Sequence, residues 1–109
     1  MASENTLSEM QGLAEAYAKA EAEKQYLMEF RKSKKAILMA EAERENPSLP
    51  AVKQERYAYS NPEYLELLEG LKVAIEAAVA LRFKIKVIEM RFEQWRSREA
   101  TRRAEMTLR

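Results

Sequence analysis

The sequence predicts an all-α protein: two long antiparallel helices folded as a hairpin, a short connecting helix between them, and a core completed by homo-oligomerisation. Three observations carry this expectation. The 109 residues include only two glycines and three prolines, so chain-reversing residues are scarce. All eighteen acidic residues are glutamates, good helix formers, and Asp, which favours caps and turns, is absent. Apolar residues from Tyr64 to Trp95 recur at alternating spacings of three and four, the period of a helix.

The length corresponds to one domain, residues 1–109. Thr6 followed by Glu9 has the form of a capping box, and nothing except Gly12 interrupts a helix before Asn46-Pro47. The first helix is therefore expected over about residues 7–45, and Asn46, Pro47, Ser48 and Pro50 form a break over 46–50. AVKQERYAY follows and predicts a short helix over about 51–58, with Pro50 suited to its first turn. Asn61 then Pro62 and Glu63 form a helix start, with a capping side chain, a proline at the first helical position and an acid in the first turn. No terminator follows except the tolerable Gly70, so the last helix is expected over about 62–107.

Along that helix Tyr64, Leu67, Leu71, Ala74, Ala78, Leu81, Ile85, Ile88, Phe92 and Trp95 form a coiled-coil seam. Leu68, Ile75 and Val79 widen it, which predicts burial of more than one face. The first helix has a weaker stripe at Leu13, Ala16, Ala20, Leu27, Phe30 and Ile37, broken by Glu23 and Lys34. Two helices alone cannot surround such a seam, because each offers the other a single neighbour. Self-association is expected to complete the core.

Composition narrows the chemistry. The chain has no Cys and no His, hence no disulfide, no thiolate or imidazole metal site, and no nucleophile or base of those types. A glycine-rich phosphate loop is missing, and the six serines lie in contexts without a base. Glu63, Glu66 and Glu69 form an acidic face that complements the helix N-terminus, a reading preferred to a shared metal ion. The expectation is a non-enzyme without cofactor or metal. The N-terminus lacks the pattern of a signal peptide, and the apolar region Val73 to Met90 is interrupted by Glu76, Arg82, Lys84, Lys86 and Glu89. No membrane partner and a cytoplasmic location are expected.

A formal net charge of +1 conceals polarisation along the chain. Residues 1–30 hold six Glu against two Lys, whereas residues 82–109 hold nine Arg and Lys against four Glu. Two basic clusters have aromatic neighbours. The first is Arg31, Lys32, Lys34 and Lys35, preceded by Tyr26 and Phe30. The second contains Arg82, Lys84, Lys86, Arg91, Arg96, Arg98, Arg102 and Arg103, with Phe83, Phe92 and Trp95 among them. Cations neutralise phosphates and flat rings stack on unpaired bases, so the combination points to single-stranded DNA. Lys and Arg on a long helix are also commonly a solvated face. Phe92 and Trp95 lie on the seam and are expected mainly to hold the oligomer, with base stacking as the alternative; Phe83, off the seam, is the better candidate for an exposed ring. The hairpin is expected to bring residues 82–98 within reach of the Arg31–Lys35 cluster, and repetition around an oligomer, possibly a ring, would join the patches into a basic track.

A helical chain with YLMEFRKSKKAILMAEAE in its first helix, a short polar break, then NPEYLELLEGLKVAIEAAV running into LRFKIKVIEMRFEQWRS resembles the small recombination accessory proteins of tailed bacteriophages. In layout it is similar to the UvsY recombination mediators, over about residues 20–98. That resemblance implies a helical, ring-forming protein of the bacterial host cytoplasm. It implies a partner set of single-stranded DNA, a phage or host recombinase, and single-strand-binding protein. It also implies DNA contacts from Lys32, Lys34 and Lys35, and from Arg82, Lys84 and Lys86. The chain departs from the pattern at PSLPAVKQER, which replaces a longer polar stretch, and in its arginine tail 96–103. The expected function is that of a non-enzymatic recombination mediator. A helical adaptor docking an acidic protein, or a host-nuclease inhibitor acting by contact, is the rival.

Overall fold

In a computed structural model, which describes residues 2–108, the chain is helical almost throughout. Helix α1 spans Ala2–Glu45, α2 spans Ala51–Ser60 and α3 spans Pro62–Leu108. No strand occurs among the described residues. The first helix starts earlier than the Thr6–Glu9 pair predicts. Ala2 to Asn5 contain no helix breaker, so the turn before Thr6 is also helical and Thr6 lies inside α1 rather than capping it.

The two interruptions are local hydrogen-bonding devices. After α1, the Asn46 side-chain oxygen accepts from the Ser48 backbone N–H at 3.2 Å and from its hydroxyl at 2.8 Å, closing an Asx turn. Pro50 sits at the N-cap of α2, and its carbonyl accepts from the N–H groups of Lys53 and Gln54. Gln54 Nε2 donates back to the Leu49 carbonyl at 2.9 Å. The second interruption is Asn61 alone. Its N–H donates to the Ala58 carbonyl, its side-chain oxygen accepts from Glu63 N–H at 2.9 Å, and its carbonyl accepts from Tyr64 and Leu65. One residue thus closes α2 and opens α3, the role expected of an Asn before Pro.

Residue contacts divide the chain into two compact units, Ala20–Ala78 and the segments Met1–Lys19 with Val79–Arg109. In the first unit, Leu38 of α1, Ala58 of α2 and Tyr64 of α3 form the centre, with Met39, Tyr57 and Leu68 packed against it. Leu38 has no exposed surface, a burial that contributes about 2 kcal/mol. Ala42, Leu71, Ala74 and Ala78 are also buried. The small alanines let helix backbones approach closely but bring little apolar area each. In the second unit Ile88 is buried, and Leu13, Leu81, Ile85 and Phe92 are half-buried.

Two expectations about stripes need correction. On α1 the buried positions are Leu38 and Ala42; Ile37 is exposed, since α2 and the start of α3 cover the side of α1 to which Leu38 belongs. Lys34, read as an interruption, lies on the covered side because its amine meets a carboxylate there. On α3, Ile75 and Val79 are exposed rather than buried, because among the described residues it is the seam side of the helix that is covered.

Candidate nucleic-acid interface

The first basic cluster is largely engaged by carboxylates of its own unit. Lys32 Nζ lies 3.3 Å from Glu29, one turn back on α1. Lys34 reaches Glu63 in the first turn of α3 at 3.4 Å, and Lys35 reaches Glu55 of α2 at 3.6 Å. The Lys35 amine also stands 4.8 Å from the centre of the Tyr59 ring, and Tyr59 meets Tyr64 edge-on at 5.4 Å. A hydrogen bond with Tyr59 raises the Lys35 pKa above its ordinary 10.5; desolvation opposes it, and the nearby Glu55 carboxylate adds to the rise. Arg31 is half-buried. Tyr26 remains exposed and stacks on Phe30 at 5.9 Å, the rings 8° from parallel. Tyr57, half-buried beside this cluster, has its pKa raised by desolvation and by Glu41 and Glu45.

The second cluster is differently disposed. Arg82, Lys84, Lys86, Arg91 and Arg98 are exposed, and none forms an ion pair with a described residue. Lys84, Arg91 and Arg98 follow one another at intervals of seven and so share a face of α3. Phe83 is 55% exposed, with the Arg82 guanidinium 5.7 Å from its ring centre. Arg96 pairs with Glu93 at 3.2 Å and Arg102 with Glu99 at 2.8 Å, while Arg103 Nε donates to the Glu99 carbonyl at 3.4 Å. These are contacts within one exposed helix, of the kind that hold side chains only weakly.

The seam residues divide by depth. Tyr64, Leu71, Ala74, Ala78 and Ile88 are buried, and Leu67, Leu81, Ile85 and Phe92 are half-buried. Trp95 is 39% exposed and stacks on Phe92 at 5.8 Å. The α1 residues that share a groove with Phe83, Lys84, Val87 and Arg91 are Glu9 and Leu13. Within the Arg31–Lys35 run, Lys34 meets Glu63 at the start of α3 and Lys35 meets Glu55 of α2. Leu7 and Met10 line a smaller apolar groove with Phe92.

Sequence reading missed the long-range partners of Lys34 and Lys35. Glu63 stands in the acidic first turn of α3, and its contact with Lys34 adds a second role. Among the described residues no group of three carboxylates is placed to hold a metal ion, and no helix is long and apolar enough to cross a membrane. Compared with family models, curated proteins and solved structures, the chain matches none.

Proposed function

We propose that this chain is a non-enzymatic, single-stranded-DNA-binding accessory protein of bacteriophage recombination. In this reading it folds as a helical hairpin, self-associates, and works in the cytoplasm of the bacterial host. The observation that carries the reading is the set of five exposed α3 cations that form no ion pair among the described residues, Arg82, Lys84, Lys86, Arg91 and Arg98, beside the exposed ring of Phe83. Their amines and guanidinium groups neutralise phosphates, and Phe83 provides a stacking surface for a base. Lys34 and Lys35 drop out of the contact set because their charges are opposed by Glu63 and Glu55. One protomer provides few phosphate contacts; several provide a track with far higher effective affinity. The thin, alanine-rich core and the exposed Ile75 and Val79 support self-association. Loaded strand would then be handed to a recombinase or annealing protein.

Titration of a fluorescent single-stranded oligonucleotide at two salt concentrations tests this. Engagement of about four to five phosphates predicts a slope of log affinity against log salt near −3. No binding at low salt and micromolar protein removes the proposal.

A second reading is favoured by one specific feature. Val79, Phe83, Val87 and Met90 form an exposed apolar row on α3, with Arg82 and Lys86 on one flank and Lys84 and Arg91 on the other. That pattern suits an acidic amphipathic helix of another protein, as a helical adaptor or a nuclease inhibitor would require. Binding to such a peptide that weakens with salt, and none to oligonucleotide, would select it.

A further inference from the structure

The end of α3 has a property that the nucleic-acid reading does not use. From Ser97 to Leu108 every residue except Glu99 is exposed, so no other part of the chain covers this stretch among the described residues. Twelve residues of helix, about 18 Å, are marginal in water when nothing packs on them. The seam spacing nevertheless continues through them as Trp95, Glu99, Arg102 and Met106. Its two middle positions are of opposite charge, and its two outer positions are apolar and accessible, Trp95 at 39% and Met106 at 64%. An open groove borders this face, lined by Trp95, Glu99, Arg102 and Arg103.

The row is symmetric about the point between Ala100 and Thr101. We propose that the end of α3 docks antiparallel on the same segment of a second copy, with Glu99 of each facing Arg102 of the other. Antiparallel helices reverse the numbering, so the same register sets Trp95 opposite Met106 at both ends of the overlap, each a bulky ring against a flexible thioether. On one rim Arg98 meets Glu105 of the second copy. The opposite rim sets Arg96 near Arg103, a repulsive pair that is moderated because Arg96 holds Glu93 and Arg103 donates to a backbone carbonyl. A parallel pairing in register would instead oppose Glu99 to Glu99 and Arg102 to Arg102. Charge therefore selects the antiparallel partner, which is a two-fold, self-complementary contact. Glu99 and Arg102 already meet within one helix at 2.8 Å, so both side chains lie on this face. The overlap is short, so the contact is weak and concentration-dependent.

The inference specifies one interface within the self-association reading, and its test separates the two. Sedimentation of the full chain is expected to show reversible association. Glu99→Arg and Arg102→Glu should each weaken it about tenfold, because like charges then face each other, and the doubly reversed chain should recover to within about threefold. Association that persists unchanged in both single variants overturns this interface while leaving the oligomer reading intact. A chain that stays monomeric up to about 1 mM overturns both. Since the chain has no cysteine, mixing Glu99→Cys with Arg102→Cys under mild oxidation gives an independent readout. A crosslink between the two variants is expected, and crosslinks within each variant alone instead would mean a parallel pairing and sink the proposal. Circular dichroism of each variant checks that helix content is retained.

Discussion

Leu38 of α1 and Tyr64 of α3 pack together over Ala58 of α2, and this contact joins three helices of one unit through a single fully enclosed aliphatic side chain. Leu38→Ala should destabilise the fold by about 3 kcal/mol, through lost transfer energy and a cavity that neighbouring helices only partly close. Urea unfolding measures it, and a loss under about 1 kcal/mol would show that the centre lies elsewhere. Ala58→Leu should also destabilise, by about 1–3 kcal/mol, because there is no room for the added methylenes.

Exposure and pairing rank the cations. Lys34→Ala and Lys35→Ala are expected to leave oligonucleotide affinity within about twofold, and each should lower stability only slightly, as partly exposed ion pairs do. Replacing Arg82, Lys84 and Lys86 together with Ala should flatten the salt slope by about 2, three phosphate contacts being lost. Fluorescence anisotropy compares the variants, and equal losses from the two sets would refute the ranking.

Alkaline pH should loosen the unit that holds α2. Lys35 and Tyr57 both bind their protons more tightly in the folded chain than at their ordinary values of 10.5 and 10.0. A raised pKa contributes stability that is complete below the unfolded value and disappears as pH climbs through the folded one. Melting temperature is therefore expected to fall from about pH 10 upward, and Tyr57→Phe should reduce that fall, since it removes one of the two titrating groups. A flat profile between pH 9 and about pH 11 would contradict the assignment.

Gly12 and Gly70 lie within helices, with ordinary helical backbone and nothing within 4 Å of where a β-carbon would stand. Alanine at either should stabilise by about 0.5–1 kcal/mol, through helix propensity and a less flexible unfolded chain. Thermal denaturation of each variant reads this as a rise of a few degrees. A fall would mean that the position serves a contact made only in an assembly.

The all-helical class and its three helices were legible because helix starts and stops are local chemistry. Asn46-Pro47 and Asn61-Pro62 carry their own hydrogen-bonding instructions, and α3 begins at the residue that the Asn-Pro-Glu triplet indicates. The start of α1 was not legible from Thr6 and Glu9, because a capping pattern is equally compatible with the interior of a helix when the preceding residues tolerate one. Composition displayed the two basic clusters but not their difference. Lys34 and Glu63 are 29 positions apart in sequence, and only tertiary folding brings them to 3.4 Å. Among the described residues Arg82, Lys84, Lys86, Arg91 and Arg98 have no such ion pair, although Glu9 lines the groove that holds Lys84 and Arg91.

The junction at Asn61 leaves the chain no slack between α2 and α3. An extra residue inserted there would turn one helix by about 100° against the other and swing Ala58 away from Leu38. The four-residue stretch Pro47–Pro50 can absorb a change of length without any such rotation, so natural variation in loop size should accumulate ahead of α2 and never behind it.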